Sequence, residues 1–413
     1  MLTQTPFSAL TVFLALKGIS WWCFYTAFTL SALYRIQVAG LDPLQLVLVG
    51  TALEAAIFFF EIPTGVVADT RGRKISMIFG FSIIGLGFAL EGFFPRFDII
   101  LLAQVVWGFG FTLVSGAEDA WLADEIGEEN LSHAYLRGTQ VQQMASFLGI
   151  FTSVAVARGG LHLPFLVSGL GLVGLAFFLS LVQPEHGFQP VPRTERSTWS
   201  SFRDTLHEGF GTIQRRPLLM LTLGIFLCYG LSSEGLDRLW ENHLLDHFTF
   251  PNILETTTWF GVLNATAMLL TLGLTEILRR RLEDLPPLRL AGFLLWVDGL
   301  RILALLVFAY AGEFLLAILA HILGSVLRQS SHPLFMAWVN RGLDSRVRAT
   351  VLSSLNQMDA LGQVVGGPGV GALANRFGLR PAIASLALLL LPVLPLFARA
   401  RGILKNEKSA NGT

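Results

Sequence analysis

Carboxylates inside long apolar runs are the first feature of this sequence that could do chemistry. A charged side chain within a bilayer is costly, so each one is by default a functional hypothesis. Glu54, Asp298 and Asp359 lie nearest the middle of their runs, and Asp298 can pair with Arg301 three residues later. A buried carboxylate can exchange protons, whereas an arginine on another helix would hold it ionised, and the sequence leaves both open. These three carboxylates are the candidates for proton coupling.

A short polar turn between two apolar runs is the second such feature. It reads Glu61-Ile-Pro-Thr-Gly-Val-Val-Ala-Asp-Thr-Arg-Gly-Arg-Lys74. Its three cations indicate a cytoplasmic membrane face. Asp69 stands at a helix end, where it can face the N terminus of another helix and gain charge–dipole and amide hydrogen bonds. The turn therefore either gates the protein or only sets its topology, and Pro63 is expected to kink or unwind the helix just before it.

Long apolar helices must position these residues, and their number sets the fold class. The chain has 413 residues, of which 53% are hydrophobic and only 14% charged, against about 25% charged in soluble domains. A transmembrane helix needs about 20 mostly apolar residues. Twelve segments meet that rule: 8–33, 43–68, 74–94, 97–123, 137–158, 163–182, 217–240, 256–278, 287–310, 313–338, 347–374 and 379–399. The sequence therefore predicts an all-α membrane protein with twelve transmembrane helices.

The longest connection, residues 183–216, divides these spans into six and six. Its prolines suit an extended linker, and apolar residues from Trp199 to Ile213 then recur every three or four positions. That spacing predicts an amphipathic helix, either on the inner leaflet or packed on the protein body. The predicted divisions are an N-terminal six-helix bundle 1–182, a cytoplasmic linker 183–216, a C-terminal six-helix bundle 217–400 and a cytoplasmic tail 401–413. Lysines and arginines concentrate in loops on one side, which places both termini in the cytoplasm.

Twelve spans, a central linker and a Gly-x-x-x-Asp-x-x-Gly-Arg-Lys turn after the second span resemble the major facilitator superfamily. The resemblance implies two six-helix bundles that rock about a central site, with the motif's aspartate latching the halves. One position departs from the family pattern, because Thr70 follows the aspartate where a basic residue is usual. Glu61, one turn earlier, is the expected helper, pairing with a base of the turn or of span eleven. The candidate gating residues are Gly65, Asp69, Arg71, Gly72, Arg73, Lys74 and Glu61.

The resemblance also implies that spans one, four, seven and ten line a substrate cavity. Charges of both signs there would either bind an ionic group of the substrate or brace the helices by salt bridges. Aromatic residues at middle depth would form an apolar wall. The candidate cavity residues are Lys17, Trp22, Tyr25, Gln104, Trp107, Glu118, Tyr229, Glu234 and Arg328.

Two signatures of the family's drug/proton antiporters are incomplete in this sequence. Gln104 and Gly108 stand where those proteins usually carry an arginine followed four residues later by glycine. A Gly-Pro-Gly run appears in span eleven rather than in span five. Small residues at that spacing let two helices approach closely, and proline permits a bend. The predicted helix-packing hinge comprises Gly362, Gly366, Gly367, Pro368 and Gly369.

The turn motif is similar to that of the family's efflux-type branch, the macrolide- and tetracycline-type exporters. This resemblance implies a monomeric, proton-coupled exporter of a small amphipathic organic compound in a bacterial inner membrane. A proton-coupled importer or uniporter of an anionic metabolite or lipid is the alternative, mildly favoured by the missing arginine at Gln104. A transport-inactive receptor or scaffold is a third hypothesis, and intramembrane charges argue against it. The formal net charge is zero, which suggests no nucleic-acid partner. The motifs also predict no enzyme activity, no cofactor and no metal site.

Overall fold

The computed structural model describes residues 7–189, 216–282, 285–341 and 345–411, and every regular element in them is a helix. The helices are α1 (Ala9–Phe28), α2 (Ser31–Gln37), α3 (Pro43–Arg71), α4 (Arg73–Phe93), α5 (Phe97–Ile126), α6 (Glu128–Ala157), α7 (Leu163–Val182), α8 (Pro217–His247), α9 (Thr256–Leu282), α10 (Pro287–Tyr310), α11 (Phe314–Asn340), α12 (Ser345–Phe377), α13 (Leu379–Leu390) and α14 (Val393–Asn411). The predicted amphipathic helix between Trp199 and Ile213 lies outside the described residues.

Ten segments in the described residues are long and apolar enough to cross a membrane. The first joins α1 and α2 and the last joins α13 and α14, so each predicted terminal span is a helix with one interruption. The two remaining predicted spans correspond to α6 and α12, which have 30 and 33 residues but more polar compositions. Length and position therefore account for all twelve predicted spans, whereas hydropathy alone accounts for ten.

Helix α3 continues across Pro63 without a break. Of the two effects expected of Pro63, unwinding of the helix is therefore wrong, and a kink stays a prediction. The Thr64 hydroxyl donates a hydrogen bond of 2.7 Å to the Phe60 carbonyl, and such side-chain bonds satisfy carbonyls in the turn that a proline disturbs.

The chain folds into two compact units. Unit 1 comprises Met1–Leu41, Ala52–Phe202 and Glu255–Gly261, and unit 2 comprises Asp42–Thr51, Arg203–Leu254 and Val262–Thr413. The main division falls within the predicted linker. The first turns of α3 belong to unit 2, although the sequence assigned them to the N-terminal bundle 1–182.

Glycines bring the helices of unit 1 into backbone contact. A Cβ atom on Gly110 of α5 would lie 2.8 Å from the carbonyl oxygen of Gly80 in α4. One on Gly169 of α7 would lie 2.6 Å from the carbonyl oxygen of Gly85. Real Cβ atoms do not approach oxygen so closely, so these α4 contacts require glycine on the partner helix.

Close backbone contacts at glycine also occur in unit 2. They explain why the first turns of α3 belong to this unit. A Cβ on Gly371 of α12 would lie 3.0 Å from Cα of Leu44. The Leu44 backbone N–H donates to Oδ1 of Asn375 at 3.1 Å, and Nδ2 of Asn375 donates to Oδ1 of Asp42 at 3.0 Å. Asn375 therefore satisfies an orphan N–H at the start of α3 and holds that helix end in unit 2.

Candidate functional site

The gating turn places one arginine between two carboxylates in unit 1. Gly72 separates α3 from α4 with φ of +116°, a conformation that favours glycine. Arg73 forms an ion pair with Asp69, one turn earlier. Its Nε also lies 3.7 Å from Oδ2 of Asp124 at the end of α5. The guanidinium thus ties the ends of α3 and α5 to the start of α4.

The segment that follows α7, residues 183–188, crosses this turn, and we call it the strap. Oε1 of Glu185 accepts the Lys74 backbone N–H at 2.8 Å, and the Gln183 carbonyl accepts Nζ of Lys74 at 2.9 Å. A Cβ on Gly72 would lie 3.0 Å from the same Glu185 oxygen. Glu185 is therefore the carboxylate that caps the N terminus of α4, where an anion gains from both hydrogen bonding and the helix dipole.

The end of α5 holds the other side of the strap. Nε1 of Trp121 donates to the Pro184 carbonyl at 2.7 Å. Oε1 of Glu125 accepts the backbone N–H of Gly187 at 2.9 Å. The guanidinium of Arg73 lies 5.8 Å from the centre of the Phe188 ring, within cation–π range. The strap thus links α5, α7 and the gating turn into one hydrogen-bonded unit.

Two predicted members of the gating set lie apart from these contacts. Glu61 is exposed, and its pairing with a base of the turn or of span eleven stays a prediction. A Cβ on Gly65 would meet nothing within 4 Å, so the packing of unit 1 gives no reason for glycine there. Arg71 is the exposed last residue of α3. The latching role of Asp69 stays a prediction.

We expect Glu185→Ala to loosen the turn more than Glu185→Gln does. Glutamine keeps an acceptor for the Lys74 N–H and loses only the charge, whereas alanine removes both. Loss of a helix cap costs about 1 kcal/mol. Trypsin cleavage after Arg71, Arg73 and Lys74 should therefore accelerate in the order wild type, glutamine, alanine. Glu129→Ala, which changes an exposed carboxylate at the start of α6, is the control, and equal cleavage of all four proteins would contradict a capping role.

A second cluster in unit 1 joins α1 to α5. Nζ of Lys17 lies 2.5 Å from Oε1 of Glu118, and both side chains are largely buried. Asp119 accepts a hydrogen bond of 3.2 Å from the hydroxyl of Tyr135 on α6. Lys17 also lies 5.5 Å from the centre of the Phe13 ring. Lys17 and Glu118 thus form a salt bridge between α1 and α5, and which of the two roles these charges serve stays a prediction.

Gln104 belongs to a third, fully buried network in unit 1. Nε of Arg35 donates to Oε1 of Glu91 at 2.7 Å, and Nε2 of Gln104 donates to Oε2 of the same carboxylate at 2.7 Å. Gln104 is 1% exposed, so it lies in the packed interior, which corrects the expectation that it lines a cavity. Sequence spacing does not predict this network, because its members come from three different helices.

The aromatic candidates in unit 1 mainly pack helices together. Nε1 of Trp22 donates to Oγ1 of Thr152 at 3.0 Å, which links α1 to α6. The Trp107 ring lies 5.2 Å from that of Phe28 and 5.7 Å from that of Phe88. Tyr25 is half-buried on α1, and its Cβ would lie 2.8 Å from a Cβ placed on Gly149 of α6. A pocket wall formed by these residues stays a prediction.

Asp298 is engaged on both oxygens in unit 2. Its Oδ1 accepts Nη1 of Arg301 at 2.6 Å, and its Oδ2 accepts the Tyr229 hydroxyl at 2.6 Å. Asp298 and Arg301 are 1% and 6% exposed. Both oxygens of this buried carboxylate therefore have a donor, and the role of Asp298 in proton coupling stays a prediction.

A second polar cluster of unit 2 lies on α8, α11 and α12. Oδ1 of Asp237 accepts Nη2 of Arg328 at 2.7 Å, and Oε1 of Glu234 accepts Nε of Arg238 at 2.8 Å. Asp359 accepts Nε2 of Gln363 at 2.7 Å. Among the described residues, these contacts involve three carboxylates and two guanidinium groups, an excess of one negative charge.

The unbalanced negative charge of this cluster lies on Asp359. Arg328 lies within electrostatic range of Asp359 and Glu234, but its direct ion pair is with Asp237. Asp359 accepts a hydrogen bond from the neutral amide of Gln363. A half-buried carboxylate in this position can be neutralised by a proton at lower cost than one in a direct ion pair. Glu54, the other such candidate, is half-buried on α3 and takes part in an interaction with a neighbouring residue.

The predicted hinge of α12 lies directly behind Asp359. A Cβ on Gly362 would lie 2.6 Å from the Leu227 carbonyl oxygen, and one on Gly366 would lie 2.5 Å from that of Leu231. Gly367 faces the start of α3 and Glu234, whereas a Cβ on Gly369 would meet nothing within 4 Å. The helix runs on through Pro368. The first glycines therefore set the contact of α12 with α8, and bending at this run stays a prediction.

Comparison with known proteins adds a family to this geometry. The model of the Major Facilitator Superfamily matches residues 10–367. A relative described as the uncharacterized MFS-type transporter YxaM of Bacillus subtilis (strain 168) is 24% identical over 398 residues, which cover 92% of this chain and 93% of the relative.

Solved structures with the same fold include transporters of different substrates. The nucleoside transporter NupG superposes with a TM-score of 0.75 at 12% identity, over 95% of this chain and 99% of its own. A bacterial homologue of the human lysosomal transporter Spinster, in an inward-facing and occupied conformation, gives 0.75 at 15% identity over 94% and 96%. At these identities the likeness shows the fold and leaves the substrate to other arguments.

Proposed function

The chain belongs to the Major Facilitator Superfamily, and we propose that this membrane transporter exports a small amphipathic organic compound in exchange for protons. The proposal specifies the direction of transport, the coupling ion and the class of substrate. The proposal also includes a monomer in a bacterial inner membrane with both termini in the cytoplasm, as the distribution of lysine and arginine predicts.

The observation that carries proton coupling is the unequal charge count of the α8–α11–α12 cluster. Within the described part of the chain its three carboxylates face two guanidinium groups, and Asp359 is hydrogen-bonded to the neutral amide of Gln363 rather than paired directly with either of them. Proton uptake at Asp359 brings the cluster to neutrality, and proton release restores a negative charge. Uncompensated charge is costly at membrane depth. The protonation of Asp359 can therefore change the relative stability of different arrangements of the helices around it. A proton gradient acting through that bias supplies the driving force in this proposal.

The buried network of unit 1 supports export against the importing alternative. The importing alternative rests only on Gln104, which stands where related antiporters usually carry an arginine. In this chain Arg35 of α2 already supplies a guanidinium to the same buried carboxylate, Glu91, and Gln104 completes its hydrogen bonding. A second cation at position 104 would leave this pocket with an excess positive charge. The absence of an arginine at position 104 is therefore consistent with an exporter in which Arg35, on another helix, supplies the cation.

The gating turn provides the conformational control in this proposal. The Asp69–Arg73–Asp124 contacts and the strap on Lys74 hold the turn as one element. A released Asp69 carboxylate can form new hydrogen bonds at a helix N terminus, as the family resemblance implies. Exchange of Asp69 between Arg73 and such a site would give the turn two stable arrangements. The proposal assigns to that exchange the switching between access states.

Proteoliposomes carrying an internal pH indicator test the proposed function directly. With ethidium, tetracycline or erythromycin as the probe, we expect an imposed pH gradient to drive accumulation and the probe to cause a protein-dependent pH change. Accumulation in inside-out vesicles indicates export and accumulation in right-side-out vesicles indicates import. Probe movement with no linked pH change would contradict proton coupling. Absence of transport for every probe, together with intact folding, would favour the receptor or scaffold hypothesis.

A further inference from the structure

Two histidines of unit 2 each have a buried ring nitrogen with no hydrogen-bond partner among the described residues. His243 of α8 is 0% exposed, and its Nε2 lies 3.1 Å from the Phe308 carbonyl oxygen of α10. A carbonyl oxygen only accepts, so Nε2 carries the hydrogen and Nδ1 carries the lone pair. Nδ1 of His243 and Nδ1 of His321 on α11 are the two nitrogens without a partner. A buried polar atom in this state needs an explanation, and an imidazole nitrogen with a lone pair is a proton acceptor.

Aromatic neighbours hold both rings in place. The His321 ring stacks on the Trp240 ring of α8 at 4.2 Å with an angle of 15° between the planes. The Phe308 ring lies 4.8 Å from the His243 ring and 5.2 Å from the His321 ring. No hydrogen bond joins the two histidines among the described contacts, so a proton passes between them through a water molecule.

His247 extends this pair to the end of α8. Its ring lies 4.6 Å from the His243 ring. Its Nδ1 lies 3.3 Å from the His243 carbonyl oxygen, so Nδ1 carries the hydrogen and Nε2 the lone pair. The side chain is 20% exposed. Because the predicted linker precedes α8, this end of the helix lies at the membrane face opposite the linker, and His247 gives the group access to water there.

The helices that carry the histidines also lead to the charge cluster. Consecutive spans alternate in direction, so α8 and α11 run antiparallel, and Asp237 of α8 contacts Arg328 of α11 at 2.7 Å. His243 comes six residues after Asp237, and His321 comes seven residues before Arg328. At 1.5 Å per residue, both histidines lie about 10 Å from that ion pair, in the same direction along the helices.

A small void lies between the level of the histidines and the level of the ion pair. Its volume is about 20 Å³, and Ser233 of α8 and Gly324 and Arg328 of α11 are among the lining residues. One water molecule fits in such a volume. Gly324 is one turn from His321, and Arg328 lies within electrostatic range of Asp359. The void therefore lies along the path from His321 to Asp359.

The charges around the histidines favour movement of a proton toward Asp359. Arg380 of α13 faces His243, and Arg328 faces His321. The carboxylate near His243 is Asp246, which is 63% exposed and therefore screened by water. The unbalanced negative charge of the α8–α11–α12 cluster thus attracts a proton away from the two guanidinium groups.

We propose that His247, His243 and His321 relay protons between the membrane face opposite the linker and Asp359. Each ring accepts a proton on its lone-pair nitrogen, becomes an imidazolium, and returns to neutral when it gives a proton to the next group. Water carries the proton where two groups do not touch, and the Asp359 carboxylate is the final acceptor. The inference rests on the proposed proton coupling at Asp359.

Infrared spectroscopy of the reconstituted protein tests the relay without a transported substrate. The end of α8 faces outward in the liposomes, and a light pulse releases protons from an external photoacid. The band of protonated Asp359 is the one that Asp359→Asn removes. His243→Asn and His321→Asn should each delay its appearance about 100-fold, the lower end of what a positioned acid–base side chain contributes. The pH at which the band reaches half its height should stay the same.

Two further measurements separate proton transfer from a structural effect. The steps of a relay are in series, so the double variant should be no slower than the slower of the two single variants. Imidazole in the buffer should restore the rate of His321→Ala, because it can occupy the space beside Trp240 and carry the proton. His247→Asn, at the partly solvated end of α8, gives the same test if the buried variants do not fold.

His133→Asn is the control, because it changes an exposed histidine of α6 in unit 1 and should keep the rate of the wild type. Wild-type rates in all three relay variants would overturn the relay and leave proton coupling at Asp359 standing. A wild-type protein without an Asp359-dependent band would reject Asp359 as the proton carrier, and the relay with it. Slower rates with a shifted midpoint and no rescue by imidazole would give the histidines a structural role instead.

Discussion

Asp359→Asn should reduce transport driven by a pH gradient to the level of liposomes without protein. The amide cannot take up or release a proton, so the cluster with Asp237 and Arg328 stays at one charge state. Asparagine has nearly the same size, and its side-chain oxygen can still accept the hydrogen bond from Gln363. The fold should therefore survive, and downhill exchange of the probe should persist because no net proton movement is needed for it.

Asp246→Asn is the matched control for this prediction. Asp246 lies at the end of α8 in the same unit, and its side chain is 63% exposed. The substitution removes the same charge from a solvated position and should leave gradient-driven transport intact. Unchanged accumulation in Asp359→Asn would reject this residue as the proton carrier. Loss of accumulation in Glu54→Gln instead would move the coupling site to unit 1.

Local features of the fold follow from the sequence because they depend on neighbouring residues. Apolar length predicts the spans, and the Asp298–Arg301 pair follows from a separation of one helical turn. The glycine and cations of the turn predict a tight connection at a membrane face. Hydropathy fails for α6 and α12, because helices that pack polar residues against other helices need not look apolar.

The partners of the polar groups could not be predicted, because they are chosen through space. Glu91 pairs with Arg35 at a sequence separation of 56 residues, and Glu185 caps the Lys74 N–H from 111 residues away. Hydrophobic periodicity carries no information about such pairs. A buried charge requires some partner, but the sequence shows neither that Arg35 is buried nor that Glu91 faces it.

The first turns of α3 show the same limit at the level of whole elements. Chain order assigns them to the N-terminal bundle, yet Asn375 and Gly371 place them in unit 2. Small residues let helices from distant parts of the chain come into backbone contact. A run of glycines in the sequence identifies one helix of such a contact but not the helix that packs against it. The glycines of α12 were visible in the sequence, but the helices that face them were not.

Gly366→Ala should destabilise unit 2, although alanine is normally the better helix former. The new methyl group would lie 2.5 Å from the Leu231 carbonyl oxygen, so α12 and α8 must move apart. Forcing extra atoms into a packed contact typically costs about 1–3 kcal/mol. Because the obstacle is a backbone carbonyl, no side-chain rotation relieves it. Thermal unfolding of the purified protein should therefore show a lower Tm, with a larger fall for Gly362→Ala combined with Gly366→Ala.

Gly369→Ala supplies the control from the same helix. A methyl group there meets nothing within 4 Å, so only the helix propensity changes, which favours alanine over glycine by about 1 kcal/mol. Its Tm should stay level or rise slightly. Equal effects at positions 366 and 369 would show that glycine serves helix flexibility in α12 rather than the contact with α8. A lower Tm for Gly366→Ala together with an unchanged or higher Tm for Gly369→Ala would show that glycine is required for the backbone contact between α12 and α8. That contact holds Asp359 in place.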